Sequence, residues 1–132
     1  MSALDSKSAA APCTAAKGRA AEERAREGLE RAGWRIVHSN FRVRRGEIDI
    51  IAERAGLLAF IEVKRENGCT VCDLQHVISA KKRRVIVETS KLFLAMNRKY
   101  NQHRIRYDVI LVQENACVRH MEGAFAEHDE AE

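Results

Sequence analysis

No run of about 18 apolar residues occurs in the 132-residue chain, which excludes a bilayer-crossing helix. The opening MSALDSKSAAAPCTAA is small and polar and lacks the apolar centre of a signal peptide. Residues 1–16 therefore read as a disordered leader, with the cytoplasm as the expected location. Aromatics are scarce, at 5%, so the chain has no ladder of rings on which a single strand could stack its bases. Residues 122–132 hold five acids and no Lys or Arg and read as an acidic, disordered tail. No internal repeat is visible.

Residues 17–121 remain as a single domain of ordinary size. Hydrophobic residues make up 45% of the chain, enough for a core. The domain carries 22 Lys or Arg against 13 Asp or Glu, or +9, where the whole chain carries only +4. That excess points to a polyanionic partner such as nucleic acid, recognised through its backbone and shape. The four cysteines are Cys13, Cys69, Cys72 and Cys117. Without a secretion signal they are expected to stay reduced. Cys69, Cys72, Cys117 and His120 also have the composition of a tetrahedral zinc set, which makes a zinc-stabilised interaction module an alternative reading.

Lys17 to Ala32 is rich in Ala, Glu and Arg, and Ala21, Ala25, Leu29 and Ala32 form one narrow helical face closed by Gly33. Trp34 to Val43 reads as a strand, and Arg44-Arg45-Gly46 as a turn. Glu47 to Glu53 and Leu57 to Arg65 read as two further strands joined at Arg54-Ala55-Gly56. These two are almost continuously apolar, as strands covered on both faces are. A loop from Glu66 to Cys72 leads to a helix that Asp73 would cap, with Leu74, Val77, Ile78, Val85, Leu92 and Met96 as its apolar stripe. Arg104 to Gln113 is a strong strand with Tyr107, Val109 and Leu111 on one face, and Cys117 to Met121 reads as a short edge strand. The order α-β-β-β-α-β, with a last β, predicts an α/β fold with a central sheet flanked by helices.

The chemistry concentrates in Gly46 to Arg65, GEIDIIAERAGLLAFIEVKR. Asp49 stands thirteen residues before Glu62, and Lys64 follows Glu62 by two. Alternation puts Glu47 and Asp49 on one face of their strand and Glu62 and Lys64 on one face of the next. If the strands pair as a hairpin, Asp49 and Glu62 meet on one side of the sheet. Adjacent carboxylates need a cation between them, and Mg²⁺ suits oxygen ligands and retained waters. Lys64 is placed to orient a water or to stabilise charge on phosphoryl oxygens, and Glu22 to add a carboxylate from the first helix. The plainer readings are a surface Glu-x-Lys ion pair and a solvated Glu22.

GEIDII followed by FIEVKR resembles the PD-(D/E)xK nuclease motif, and the chain as a whole resembles the YraN-like (UPF0102) family of small bacterial proteins. Gly18, Glu22, Ala25, Leu29 and Gly33-Trp34 follow that family's first helix, and Asn40-Phe41-Arg42 its next strand. Lys81-Lys82-Arg83-Arg84-Val85 and Arg106-Tyr107-Asp108-Val109 follow its later segments. The resemblance covers Lys17 to Gln113 and departs from the family at Ala21, at Glu66 and in the loop with Cys69 and Cys72. It implies a restriction-endonuclease-like core with a mixed sheet and a catalytic set of Asp49, Glu62, Lys64 and Glu22. Asp49 and Glu62 would hold Mg²⁺ or Mn²⁺, and Glu47 would bind metal or a basic neighbour. The implied activity is metal-dependent hydrolysis of DNA phosphodiester bonds, with branched or structured DNA among the substrates and DNA favoured over RNA. Arg42, Arg44 and Arg45 at one turn, and Lys81, Lys82, Arg83 and Arg84 on the second helix, are the expected phosphate contacts. A homodimer is expected because two cuts on a duplex need two sites. The alternative is a non-catalytic nucleic-acid-binding protein on the same fold.

Overall fold

The computed structural model describes the backbone of residues 14–66, 78–113 and 118–127, with side chains described for 18–65, 78–113 and 118–127. Helix α1 (Thr14–Arg31) is followed by strands β1 (Arg35–Val43), β2 (Gly46–Arg54) and β3 (Leu57–Glu66). Helix α2 (Ala80–Met96), a 3₁₀ turn at Arg98–Tyr100, β4 (Arg104–Gln113) and β5 (Val118–Phe125) complete the order. The strands form one five-stranded sheet in chain order. It is antiparallel except for the parallel pair β3–β4, which the α2 crossover connects. The mixed α/β sheet with a helix on each face is as expected, and no described helix is long and apolar enough to cross a membrane.

Local chemistry explains the element ends. After α1, Gly33 adopts φ +94°, and the Trp34 and Gly33 N–H groups close on the Leu29 and Glu30 carbonyls. This is a Schellman cap, in which a left-handed glycine satisfies carbonyls that the helix leaves open. The β1–β2 turn is Arg44-Arg45, and the β2–β3 turn is Ala55-Gly56, with φ of 51° and 78°. Positive φ at both central residues is the twist that two-residue hairpins favour.

Two apolar layers hold the sandwich together. On one side, Ala21, Ala25 and Leu29 of α1 pack with Trp34, Ile50, Ala52, Ala59, Ile61, Ile110 and Val112. On the other, Ile86, Val87 and Phe93 of α2 pack with Phe41, Ile48, Ile51, Leu58, Phe60, Val109 and Leu111. Strands β2 and β3 are covered on both faces, which is why their sequences are nearly continuous apolar runs.

Three sequence expectations need correction. Helix α2 is capped by Ser79, whose hydroxyl accepts the Lys82 N–H at 3.1 Å. Its buried face is Ile86, Thr89, Ser90 and Phe93, whereas Leu92 and Met96 are 48% and 67% exposed. One residue is about 100° of helix rotation, so a stripe read one position off points to solvent. Residues 73–77, including the proposed Asp73 cap, lie outside the described residues. Second, α1 starts at Thr14, three residues earlier than expected. Third, β5 continues through Phe125, taking in four residues that charge had assigned to the tail. Phe125 is buried and stacks on Tyr107, so packing overrides the acidic composition there. The rest of the leader, the Glu66–Cys72 loop beyond Glu66, and residues 128–132 are outside the described residues.

Candidate active site

Strands β2 and β3 pair from Arg54↔Leu57 only as far as Ile50↔Ile61. On their outer sides, β2 stays paired with β1 to Gly46, and β3 stays paired with β4 to Glu66. The sheet therefore forks, and the first unpaired positions are Asp49 and Glu62. At the fork a side chain replaces the ladder, because the Val63 N–H donates to Asp49 Oδ2 at 2.8 Å.

The fork also explains how acids from opposite faces meet. Alternation in β3 puts Leu58 and Phe60 in the α2 layer, Ala59 and Ile61 in the α1 layer, and Glu62 on the α2 side. In β2, Ile48 and Ile51 both belong to the α2 layer while Ile50 and Ala52 belong to the α1 layer, so alternation reverses between Asp49 and Ile50. Opposite this reversal on β1, Asn40 has φ +55°. Asp49 and Ile50 line a cavity of about 170 Å³ on the α1 side with Ser39, Asn40, Glu22, Arg19 and Arg26. Asp49 thus enters from the α1 side and Glu62 from the α2 side, rather than both on one side as regular pairing predicts, and the Asp49 charge acts on Glu62 in the gap.

Both carboxylates are nearly enclosed, with Asp49 6% and Glu62 5% exposed. Burial pushes the Glu62 carboxyl up to about 7, and the Asp49 charge adds to the effect. Burial raises Asp49 as well, against the Val63 N–H that favours its charged form. Such an acid pair binds one proton between its members more readily than it releases both. Glu22, on α1, lines the same cavity as Asp49 and Asn40, and burial and the Asp49 charge raise its pKa too. Glu62 Oε1 is buried with no hydrogen-bond partner, and Oε2 has the Lys82 ammonium 3.7 Å away. Lys64 is half-buried on the Glu62 face, and its charge favours ionised Glu62.

The structure therefore brings Glu22, Asp49, Glu62 and Lys64 into one neighbourhood and adds Lys82, which the sequence had placed with the phosphate contacts. Asn40 is a further member that sequence reasoning missed; its signal is weak, since asparagine is merely tolerant of left-handed backbone. Glu47 accepts from Arg42 Nε at 2.8 Å, so that pair is a cross-strand ion pair, while the Glu47 charge also raises Asp49. Arg44 and Arg45 form the exposed hairpin tip. The tip is seated on α2 because Gly46 has no side chain: a Cβ there would lie 2.4 Å from Val85 Cγ1 and 2.7 Å from Thr89 Oγ1. On α2, Lys81 and Arg84 are exposed, whereas Arg83 turns back to donate to the Ile78 carbonyl at 3.1 Å.

Among the described residues, no group of three or more His, Cys, Asp or Glu side chains is arranged to hold a metal ion. The acids at the fork are Asp49 and Glu62, with Glu22 lining the cavity beside Asp49. Two carboxylates with an orphaned buried oxygen fit Mg²⁺, which is usually held by one or two carboxylates and keeps several waters. Of the zinc alternative, Cys69, Cys72 and Cys117 lie outside the described residues, and His120 directs its Nε2 at Asp108, 2.7 Å away.

Asp108 is the centre of a second buried network. It is 0% exposed and accepts from Arg106 Nε and Nη2, both at 2.9 Å, and from the Gly123 N–H at 2.9 Å, besides its His120 contact. Burial pushes its carboxyl up, but His120, Arg106 and Gly123 together hold it below the usual aspartate range. Arg54 and Arg106 both lie over the Trp34 ring, at 4.5 and 5.6 Å from its centroid.

The family described as "Uncharacterised protein family UPF0102" matches residues 21–112, a span that holds Glu22, Asp49, Glu62, Lys64 and Lys82 and, of the second network, Arg106 and Asp108 but not His120 or Gly123. A UPF0102 protein of Treponema denticola is 39% identical over 123 residues, covering 83% of this chain and 95% of its own length. One from Rhodopseudomonas palustris is 36% identical over 108 residues, covering 82% of each chain. One from Myxococcus xanthus is 39% identical over 112 residues, covering 82% of this chain and 87% of its own.

Proposed function

The chain belongs to the UPF0102 family, and from that premise we propose that it is a metal-dependent nuclease of the PD-(D/E)xK type, with a restriction-endonuclease-like core, that hydrolyses phosphodiester bonds in DNA. The observation that carries this reading is the under-compensated Asp49–Glu62 pair at the fork, with one buried oxygen lacking any partner and Lys64 on the same strand face. Nearly enclosed acids in contact are costly unless something positive joins them.

Asp49 and Glu62 would hold Mg²⁺ or Mn²⁺, which when bound polarises a phosphoryl oxygen and lowers the pKa of a coordinated water. The Val63 N–H keeps Asp49 Oδ2 aimed into the fork. Lys64 orients the attacking water or stabilises charge on the phosphoryl oxygens. Glu22 adds a further carboxylate beside Asp49 from the α1 side. Water adds its oxygen to phosphorus, the bond from phosphorus to the leaving sugar oxygen breaks, and that oxygen takes up a proton.

The hairpin tip with Arg44 and Arg45, together with Lys81 and Arg84 on α2, supplies exposed cations for the DNA backbone. Branched or otherwise structured DNA is included among the substrates, and a homodimer would supply two sites for two cuts. The same exposed cations also suit a second reading, a nucleic-acid-binding protein on the same fold that does not cut.

A cleavage panel separates the two. Linear, single-stranded, flap and four-way-junction DNA are incubated with Mg²⁺ or Mn²⁺ and the wild type, Asp49→Ala, Glu62→Ala or Lys64→Ala. The expected outcome is metal-dependent cleavage that each substitution reduces at least about 100-fold. Salt-dependent binding without cleavage on any substrate would replace the nuclease with the binding protein.

A further inference from the structure

The cation nearest Glu62 is the ammonium of Lys82, on the first turn of α2, and the contact has an unusual balance of fixed and loose parts. Its backbone is pinned, since the Lys82 N–H donates to the Ser79 hydroxyl at the helix cap. Its head is not. The ammonium is 3.7 Å from Glu62 Oε2, too long for a hydrogen bond, and the side chain is 42% exposed while that of Glu62 is 6%. Its charge also reaches Asp49, where it favours the ionised form. One cation therefore partly neutralises both acids from the solvent side without engaging either closely, and it leaves Glu62 Oε1 unmatched. An ion pair built for stability alone would close to hydrogen-bonding distance, as Arg106 does on Asp108 at 2.9 Å.

We infer that Lys82 is a tethered counter-ion that stands in for the metal when the metal is absent, and that on metal binding it leaves Glu62 and turns its ammonium to the phosphate of the bound strand. The inference rests on the metal-dependent reading above and adds a positioning residue to it. A divalent cation between Asp49 and Glu62 repels an ammonium held beside the same carboxylates, so the two cations compete for one place. The freed ammonium has a four-carbon stem on a capped, fixed backbone and emerges on the helix turn that also presents Lys81 and Arg84. Metal and phosphate then favour each other, because the metal frees Lys82 for the phosphate and the phosphate holds Lys82 away from the metal's place, and this coupling is reciprocal by linkage.

The test is calorimetric titration of Mn²⁺ into the DNA-free full chain at pH 8, comparing wild type, Lys82→Met, Lys82→Arg and Glu62→Gln. Lys82→Met keeps the apolar stem and removes the charge, and is expected to bind Mn²⁺ about tenfold more tightly than wild type. Lys82→Arg keeps the competing charge and should stay within about twofold of wild type, and Glu62→Gln should lose most of the binding. General damage to the fold would weaken binding, so tightening is a result that a merely structural lysine would not produce. Wild-type binding that Lys82→Met leaves unchanged or weakens overturns the inference and leaves the metal site standing. Absence of binding in both wild type and Lys82→Met overturns the metal site itself.

Discussion

Asp108 and Glu62 are buried carboxylates on adjacent strands, one register position apart, since Asp108 pairs with Ile61 and Glu62 with Val109. The protein treats them in opposite ways. Asp108 receives donors from Arg106, His120 and Gly123 and is held below the ordinary aspartate range. Glu62 faces another carboxylate, has one oxygen with no partner and a loosely placed lysine on the other, and is raised to about 7. In a low-dielectric interior, a carboxylate with a full set of donors ties elements together, here β4 to β5. One with an incomplete set weakens the metal-free fold and is ready for an added cation. The same residue chemistry in the same sheet is thus fully compensated at one site and left under-compensated at the other.

The largest effect expected from breaking this contrast is at Asp108. Asp108→Ala strands Arg106, His120 and the Gly123 N–H and should cost about 3–5 kcal/mol, read as a lower denaturation midpoint in urea. A loss below about 1 kcal/mol would remove the distinction between the two networks.

At Glu62 the sign reverses. Its folded pKa, about 7, lies above the ordinary 4.5, so the folded state holds the proton more firmly than the unfolded chain does. The stabilising contribution is complete below pH 4.5 and is lost as pH rises through about 7. Metal-free Glu62→Gln should therefore gain up to about 3 kcal/mol relative to wild type above pH 8, and little at pH 4. Added Mn²⁺ should narrow that gap by stabilising the wild type alone. Asp108 has the opposite slope, with its contribution present above 3.8 and lost as pH falls through its depressed folded value. Denaturation curves from about pH 2 to 9 without metal test this pair of signs, and a wild-type stability that rises through pH 7 would contradict the Glu62 half.

A smaller effect sharpens the picture of how the site is framed. Gly46→Ala places a methyl against Val85 and Thr89 and should cost about 1–3 kcal/mol while lifting the Arg44-Arg45 tip from α2. Thermal melts give the stability, and a weaker salt dependence of DNA binding would report the displaced arginines. Unchanged melting would mean that α2 gives way more easily than its packing suggests.

Much of this arrangement was legible in the residues. An acid in the run Ile48-Asp49-Ile50-Ile51, and another in Phe60-Ile61-Glu62-Val63, stand out because a charge in a doubly covered strand requires a partner. The helix cap at Gly33 and both hairpin turns were equally plain, since each rests on short-range geometry. Less accessible was the buried face of α2, where the apolar positions 85, 86, 87, 92, 93 and 96 allow more than one stripe. The continuation of β5 was hidden by acids, because Phe125 docks on Tyr107, eighteen positions away in the chain. The Asp108 network was not legible: in the sequence His120 reads as a zinc ligand and Asp108 only as part of a family-like segment, because an Asp bound by a distant His and backbone N–H has no spacing signature.

The sequence by itself determined the order of elements, the two-sided burial of β2 and β3, and the nearness of Asp49 and Glu62 on neighbouring strands. These follow from periodicity, turn chemistry and the cost of burying charge, all of which act over a few residues. The tertiary structure alone decided that β2 and β3 part at those acids, that Asp49 and Glu62 arrive from opposite faces, and that Lys82 stands beside one while Arg106 and His120 grip Asp108. Such choices depend on how distant donors converge in a low-dielectric interior, and only the packed sheet brings them together.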